Sequence, residues 1–303
     1  MPIPSVSTRS SPVASVPRDL SDREFETFRA LVAAHTGIAL GPNKRVFLQA
    51  RLGKRLRALG LPTFTEYRRV LAEQDPHGEE LIRFVNAVTT NRTTFYREAQ
   101  HFAYLAEQWG PAALGTDTRG GPRVARIWSA GCSTGEEPYT IAMALADALG
   151  ATSAWTLRIL ASDINTDALT HAAAGTYGLD DIGQIPRAVL TRHFLRGVGP
   201  NAGLVRLRPA LRDLVTFRRI NLLEERWPIQ APFDVIFCRN VLIYFNRPTQ
   251  QRVLARLVGF LKIGGVLVLG HSEGVHGMVG GLRHVGNTIY HKEVDDAGDD
   301  PHR

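Results

Sequence analysis

Apolar side chains recur at helical spacing through the N-terminal part of the chain. The stretch SDREFETFRALVAAHTG opens with a capping box, Ser21 and Glu24, and the helical spacing continues in KRVFLQARLGKRLRALG and EELIRFVNAVTT. Thr63 and Glu66 form a second capping box, which predicts a helix that ends near Glu73. We therefore predict a small helical domain over residues 20–95.

The pattern changes after Gly120 and Gly121, where strands and helices begin to alternate. RVARIWSA, TLRILASDI, FDVIFC and GGVLVLG are typical of buried strands, and HVGNTIYHK indicates one last strand. Helical stretches separate them, which predicts a parallel sheet covered on both faces in an α/β domain over residues 96–293. LVRLRP and LVTFRRI have no helix between them, so we expect both in a small antiparallel insertion at about 176–220.

Composition excludes several classes of protein. The 303 residues are 44% hydrophobic, which allows buried cores, and no apolar run approaches the ~20 residues that a membrane span needs. Two cysteines, Cys132 and Cys238, are too few for a disulfide framework or a thiolate site, so we expect a cytoplasmic protein and predict no metal site. The polar ends, 1–19 and 294–303, are expected to be disordered tails.

The pentapeptide GCSTG, residues 131–135, permits two functional interpretations. It matches G-x-S-x-G, the nucleophile elbow of serine hydrolases, and Asp234 and His271 follow Ser133 in the order of that triad. However, the elbow normally follows several strands, whereas everything before RVARIWSA is helical in pattern. No HGGG-type stretch supplies an oxyanion donor. The hydrolase is therefore the weaker alternative.

A ligand cradle explains more of the residues around this turn. Glycines let a ligand approach the backbone, and Asp163 ends the next strand, where a carboxylate accepts ribose hydroxyls. Glu136 and Glu137 at the helix start would repel phosphates but would attract an amino group. A ligand with a ribose, an amino group and no phosphate fits S-adenosylmethionine.

Six motifs then resemble, in order and spacing, those of the chemotaxis protein methyltransferases, the CheR family: TTNRTTFYRE, SAGCSTGEEPY, ASDIN, INLLE, FCRNVLIYF and GHSE. The resemblance covers about residues 20–292. It implies an all-α N-terminal domain and a Rossmann-like α/β domain that binds S-adenosylmethionine and carries a small antiparallel β-subdomain. It also implies methylation of glutamate side chains on bacterial chemoreceptors, which makes γ-glutamyl methyl esters.

The resemblance assigns roles to residues at matching positions. Arg97 and Tyr244 match residues that flank the reacting methyl group and form the predicted catalytic pair. The implied cofactor contacts are Asn91, Thr93, Arg97, an acid that is either Glu136 or Glu137, Asp163, Asn221, Leu222, Arg239 and Asn240.

The strongest concentration of positive charge lies in the helical domain. The formal net charge is +7, and residues 42–65 hold six basic side chains and no acidic one. Lys44, Arg51 and Arg55 are spaced by seven and four residues, so they should share one helix face. Such a face would suit docking of a glutamate-rich receptor segment.

A nucleic-acid methyltransferase is the second alternative, since it would share the cofactor and use the basic charge. FCRNVLIYF lacks the N-P-P-Y type of segment found in base-amino methylases, and Phe47 and Phe64 are the only aromatic residues within 42–65. We therefore expect the cytoplasmic domain of chemoreceptors as the partner, with no nucleic acid and no membrane insertion. The protein should be a monomer that is recruited from the cytoplasm to membrane-bound receptor arrays.

Overall fold

The computed structural model describes residues 19–110, 123–149, 155–230, 232–275 and 277–293. The chain divides into two compact units, a smaller one within 1–33 and 40–88 and a larger one within 34–39 and 89–303. Apart from Asp19, the predicted disordered tails lie outside the described residues.

Four helices build the smaller unit: α1 (Asp22–Thr36, whose last turn belongs to the larger unit), α2 (Arg45–Leu59), α3 (Phe64–Glu73) and α4 (Glu79–Val88). Both predicted capping boxes begin helices, since Ser21 Oγ accepts from the Glu24 amide at 3.3 Å and Thr63 Oγ1 from the Glu66 amide at 3.2 Å. The rings of Phe28, Phe64, Tyr67 and Phe84 pack with centroids 6.0 to 6.5 Å apart. This aromatic cluster is the core of the unit.

Ten strands and six helices are described in the larger unit. The strands are β1 (Arg123–Ala130), β2 (Trp155–Asp163), β3 (Thr176–Gly178), β4 (Phe194–Arg196), β5 (Leu204–Leu207), β6 (Val215–Arg219), β7 (Phe233–Cys238), β8 (Leu261–Leu269), β9 (Leu282–Gly286) and β10 (Ile289–Lys292). The helices are α5 (Gln100–Tyr104, continued by a π-helical turn at Leu105–Trp109), α6 (Glu136–Leu149), α7 (Thr166–Ala174), α8 (Arg187–His193), α9 (Pro209–Arg212) and α10 (Arg247–Gly259).

The strands form two sheets. The seven-stranded sheet has the order β6-β2-β1-β7-β8-β10-β9, in which the first five strands are parallel and the last two pair antiparallel. The second sheet, β3-β5-β4, is small and antiparallel. The predicted architecture, a covered parallel sheet with a small antiparallel subdomain after a helical unit, is confirmed.

Successive residues of the central strands face opposite sides of the large sheet. Ile127 and Val235 pack in one apolar cluster with Ile141 of α6. Their chain neighbours Trp128 and Ile236 pack in another cluster, which contains Val253, Leu254 and Leu257 of α10. The sheet is therefore buried on both faces, which explains the nearly continuous apolar strands in the sequence. Among the described residues, no helix combines the length and the apolar character that crossing a membrane requires.

Two strand predictions were wrong. LVTFRRI does not join the small antiparallel sheet, because Val215–Arg219 is the edge strand β6 of the large sheet and runs parallel to β2. HVGNTIYHK is not one strand but parts of β9 and β10, joined by a turn in which Asn287 and Thr288 have φ of 48° and 56°. Alternating polarity marks a half-buried strand but does not reveal which strand it pairs with.

Candidate functional site

A cavity of about 490 Å³ opens at the carboxyl ends of four neighbouring strands, β6, β2, β1 and β7. Its walls come from segments that directly follow these strands: Gly131 and Ser133 after β1, Asp163 and Ile164 around the end of β2, residues 220–222 after β6, and residues of 240–245 after β7. Residues 89–94, Arg97, Thr36 and Ile38 complete the lining. Parallel sheets with helices on both faces bind ligands at this edge.

The GCSTG turn brings its backbone close to the loop after β7. Gly131 has φ of 85°, and a Cβ at that position would collide with the side chain of Val241. Ser133 also has positive φ, 51°, and its amide donates to Asp163 at 2.8 Å. Only glycine fits position 131 without strain or collision, so the glycine there has a structural reason.

The hydrolase triad is not assembled at this turn. Ser133 Oγ donates to the carbonyl of Asn91 at 2.9 Å. Asp234, near the amino end of β7, accepts from the Arg126 amide at 2.8 Å and from Lys262 Nζ at 2.5 Å. The serine and the proposed acid therefore have other partners, at opposite ends of the sheet.

Asp163 is the acidic side chain that lines the cavity, and it is mostly buried. Its two oxygens accept from the amides of Ser133 at 2.8 Å and Asn165 at 2.9 Å. Burial raises the pKa of Asp163, although these backbone hydrogen bonds oppose the rise. A carboxylate has roughly four acceptor sites, so two hydrogen bonds leave capacity for hydroxyl donors of a ligand.

Most of the cofactor contacts predicted from the sequence lie in this one cavity, together with both residues of the predicted catalytic pair. The predicted residues that line it are Asn91, Thr93, Arg97, Asp163, Asn221, Leu222, Asn240 and Tyr244. Three predicted contacts, Glu136, Glu137 and Arg239, are buried but are not part of the lining.

The two glutamates of the GEE segment have different partners. Glu137 accepts from Ser129 Oγ at 2.7 Å and from Arg239 at 3.0 Å, and burial raises its pKa although the Arg239 charge opposes this. Glu136 accepts from Thr134 Oγ1 at 2.7 Å, and burial raises its pKa as well. Because both carboxylates have partners within the protein, the geometry does not choose between them as a cofactor contact.

Arg97 lies on a strained loop that Arg239 braces. Tyr96 and Glu98, on either side of Arg97, have φ of 54° and 58°, which non-glycine residues rarely adopt. Arg239 donates to the carbonyl of Arg97, and its Nη2 lies 3.1 Å from Glu98 Oε2. Arg97 Nη1 itself donates to the carbonyl of Arg92 at 3.2 Å. These contacts fix the backbone from which the Arg97 side chain projects.

Glu273, in the GHSE motif, organises the loop after β7, and sequence reasoning gave it no role. Its carboxylate accepts from the amides of Asn240 at 2.7 Å, Gly270 at 2.8 Å and Ile243 at 3.2 Å. Burial raises its pKa, and these backbone bonds oppose the rise. A buried carboxylate of this kind supports the loop that carries Asn240 and Tyr244, and the motif itself was the signal that could have identified it.

The three basic residues predicted for docking lie in the smaller unit and differ in their surroundings. Arg55 pairs with the buried Glu80 through two hydrogen bonds, of 2.9 and 2.6 Å, so its charge is compensated. Arg51 lies over the Phe47 ring, 5.2 Å from its centroid. Lys44 ends a 3-10 turn just before α2 and is exposed. Arg51 Nη1 also donates to the carbonyl of Ala87 at 3.5 Å. No carboxylate of the described residues pairs with Lys44 or Arg51, so the expected patch of three positive charges is reduced to these two.

Comparison with known proteins identifies the family of both parts of the chain. The family model described as the CheR methyltransferase SAM binding domain matches residues 91–291, and the model of the CheR all-alpha domain matches residues 23–89. A chemotaxis protein methyltransferase of Klebsiella aerogenes is 45% identical over 271 residues, which cover 89% of this chain and 90% of that protein. Those of Salmonella typhimurium and Escherichia coli are 44% and 43% identical, over 92% and 89% of this chain and 93% and 91% of theirs.

The two family models together span both units of the structure, and the relatives match along almost their whole length. The larger unit is accordingly the domain that binds S-adenosylmethionine. The resemblance seen in the sequence motifs is confirmed, and the chain belongs to the CheR methyltransferase family.

Proposed function

We propose that this enzyme transfers the methyl group of S-adenosylmethionine to glutamate side chains in the cytoplasmic domain of bacterial chemoreceptors, forming γ-glutamyl methyl esters. The relatives are chemotaxis protein methyltransferases by name, which supports a receptor substrate. The observation that carries the proposal is that Arg97, Asp163 and Tyr244 line one cavity. The same cavity therefore offers a cation for a carboxylate substrate and an acceptor for a ribose.

The residues present fit this cofactor. Asp163 keeps acceptor capacity after its two backbone hydrogen bonds, so it would receive ribose hydroxyls. Asn221 and Leu222 line the cavity after β6, where the adenine-side contacts are expected. Gly131 lets the turn after β1 pass close to the loop after β7, which keeps the cavity walls together.

The proposed mechanism depends on position more than on proton transfer. S-adenosylmethionine, when bound, supplies a methyl group on a positively charged sulfur with a neutral leaving group. A glutamate carboxylate is already ionised near neutral pH, its usual pKa being about 4.3, so no general base is required. Arg97 would orient one carboxylate oxygen by a charge-assisted hydrogen bond while the other attacks. The hydroxyl of Tyr244 would fix the reacting groups from the loop after β7.

The partner and the place of action follow from the proposed substrate. Receptor methylation would take place in the cytoplasm at membrane-bound arrays, and the enzyme would work there as a monomer. Lys44 and Arg51 would attract the glutamate-rich receptor segments. The serine hydrolase and the nucleic-acid methyltransferase have no support from the relatives or from the partners of Ser133.

Peptide mapping by mass spectrometry tests the proposal. The enzyme is incubated with S-adenosylmethionine and a receptor cytoplasmic fragment, and the fragment is digested and sequenced. We expect methyl groups on glutamate side chains, and their loss when the mapped glutamates are replaced by alanine. Duplex DNA and RNA serve as control substrates. Methyl groups on another residue type, or on nucleic acid, would contradict the proposal.

A further inference from the structure

Three metal-ligand atoms come together in the larger unit, from Glu98 and His101, just after Arg97 in the chain, and from the distant His271. One oxygen and two ring nitrogens lie within 4.8 Å of one another. Glu98 Oε2 is 3.5 Å from His101 Nδ1 and 4.0 Å from His271 Nε2. His271 comes from the segment after β8, so the spacing of residues in the sequence does not reveal the cluster.

The buried His101 directs a lone pair into this cluster. Its ring is fully buried, and its Nε2 lies 2.6 Å from the carbonyl oxygen of Asn287. Because a carbonyl only accepts, Nε2 carries the hydrogen, and in the neutral ring Nδ1 keeps its lone pair. Metal-binding histidines usually have this arrangement, in which the second ring nitrogen donates to a carbonyl or carboxylate.

The two atoms that face each other share no hydrogen. Among the described residues, the buried His101 Nδ1 has no hydrogen-bond partner, and Glu98 Oε2 has the Arg239 guanidinium 3.1 Å away. With His101 neutral, two acceptors therefore face each other 3.5 Å apart, an arrangement that a bound cation would relieve. His271 Nε2 contacts the side-chain amide of Gln100 and lies 4.0 Å from Glu98 Oε2.

The surrounding charge is compatible with an added cation. Arg239 lies 3.1 Å from Glu98 Oε2 and 3.0 Å from Glu137 Oε2, so two carboxylates share one guanidinium. Glu98, Glu137 and Arg239 together carry a net charge of −1 when both acids are ionised. His271 is about half exposed, 51% of its side chain, and offers an entry path for an ion from solvent.

We propose that Glu98, His101 and His271 bind a divalent transition-metal ion. Two imidazoles and a carboxylate are a ligand set for Zn²⁺, which leaves a position open for water. Ligand atoms about 2.1 Å from a tetrahedral ion are separated by roughly 3.4 Å, which the 3.5 Å between Glu98 Oε2 and His101 Nδ1 nearly matches. The 4.0 Å between Glu98 Oε2 and His271 Nε2 would have to shorten. Binding requires the exposed His271 to leave Gln100 and Glu98 to share its oxygen between Arg239 and the ion.

Zinc titration of the full-length, chelator-treated protein in the absence of S-adenosylmethionine tests this site. Zn²⁺ alone is added against a chromophoric chelator, and the bound equivalents are counted. We compare the wild type with His271→Ala, which changes an exposed side chain, and with Glu98→Gln. His77→Ala removes an exposed histidine from the smaller unit and serves as the matched control.

We expect one equivalent of Zn²⁺ in the wild type and in His77→Ala. Affinity should fall by more than about tenfold in His271→Ala and in Glu98→Gln, since even the residues that support metal ligands contribute 10- to 100-fold. Circular dichroism of His271→Ala checks that the fold is kept. Absence of saturable binding by the wild type, or unchanged affinity in a folded His271→Ala, would overturn the proposal. Either result leaves the proposed methyl transfer untouched, because the readout is metal binding alone.

Discussion

Asp163 is the residue whose replacement tests the cofactor site most directly. Its carboxylate has acceptor capacity beyond the two backbone amides that it holds, and it lines the cavity. We expect Asp163→Ala to weaken binding of S-adenosylhomocysteine by about 1.5 to 3 kcal/mol, since charged hydrogen bonds contribute that much. Calorimetry measures the affinity. Asp167→Ala, which removes an exposed carboxylate from α7, should bind like the wild type.

Arg97 tests whether position or charge drives methyl transfer. A lysine keeps the charge but not the planar fork of donors, and a small misplacement of reacting groups can cost on the order of 100-fold in rate. We expect Arg97→Lys to lower turnover by about that factor with saturating S-adenosylmethionine, and Tyr244→Phe to lower it less. Arg126→Lys, at an exposed position of β1, is the matched control. Near-normal turnover in Arg97→Lys would favour a role of charge alone.

The sequence motifs were sufficient to identify residues that line the cavity. They did not reveal roles that depend on contacts between residues far apart in the chain. Asp163 could be predicted because the end of a buried strand is a position with known chemistry. The role of Glu273 depends on three backbone amides, two of them about 30 residues away in the chain. The bracing of the Arg97 loop by Arg239 likewise depends on residues that are distant in sequence.

The turn after β1 is the element on which the cavity depends. Gly131 has φ of 85°, and a Cβ there would collide with Val241, so alanine brings both strain and overlap. We expect Gly131→Ala to lower stability by at least about 1 to 3 kcal/mol and to weaken cofactor binding. Thermal unfolding and calorimetry measure the two effects. Gly183→Ala is the control, because Gly183 has φ of −58° and a Cβ there would meet only the carbonyl oxygen of Asp180, at an ordinary contact distance of 4.0 Å. Equal stability of both variants would contradict this explanation.

Helix α2 allows docking to be separated from folding. Arg55→Glu would place a carboxylate against the buried Glu80 and should destabilise the helical unit by about 3 to 5 kcal/mol. Lys44→Glu with Arg51→Glu should lower stability by only about 1 kcal/mol, through loss of the Arg51–Phe47 contact. The double variant should slow receptor methylation, mainly through association, and salt should reduce the difference. Initial rates at low and high salt check this. The exposed Arg68→Glu on α3 is the charge-matched control. A wild-type rate for the double variant at low salt would remove α2 from docking.

The predicted elements agree with the structure where an apolar pattern in the sequence corresponds to a buried strand or helix. FDVIFC and RVARIWSA are predicted strands, and they form β7 and β1. The errors occurred where strand pairing decides which sheet a segment joins. Exposed residues alternate with less exposed ones along Val215–Thr216–Phe217–Arg218. An edge strand of a parallel sheet and a strand of an antiparallel insertion both show such alternation, so the sheet that contains this strand was not predictable. The β9–β10 turn depends on positive φ at Asn287 and Thr288. Threonine is not a typical residue for positive φ, so the sequence did not indicate a turn at this position.

At the scale of the whole molecule, the central inference is that the larger unit binds S-adenosylmethionine and passes its methyl group to a carboxylate. The architecture was predictable because alternating strands and helices allow few topologies. The receptor that is served was not predictable, because recognition of a partner depends on surface chemistry rather than on the fold.

One labelling experiment tests that claim most directly. The enzyme, methyl-labelled S-adenosylmethionine and a receptor cytoplasmic fragment are incubated, and the labelled fragment is then treated with mild alkali. Arg97→Ala, checked by calorimetry for retained cofactor binding, runs in parallel. We predict that the fragment becomes labelled and that mild alkali releases the label, because a carboxyl methyl ester hydrolyses. With Arg97→Ala we predict little label. Label that withstands alkali, or equal labelling by Arg97→Ala, would contradict the claim.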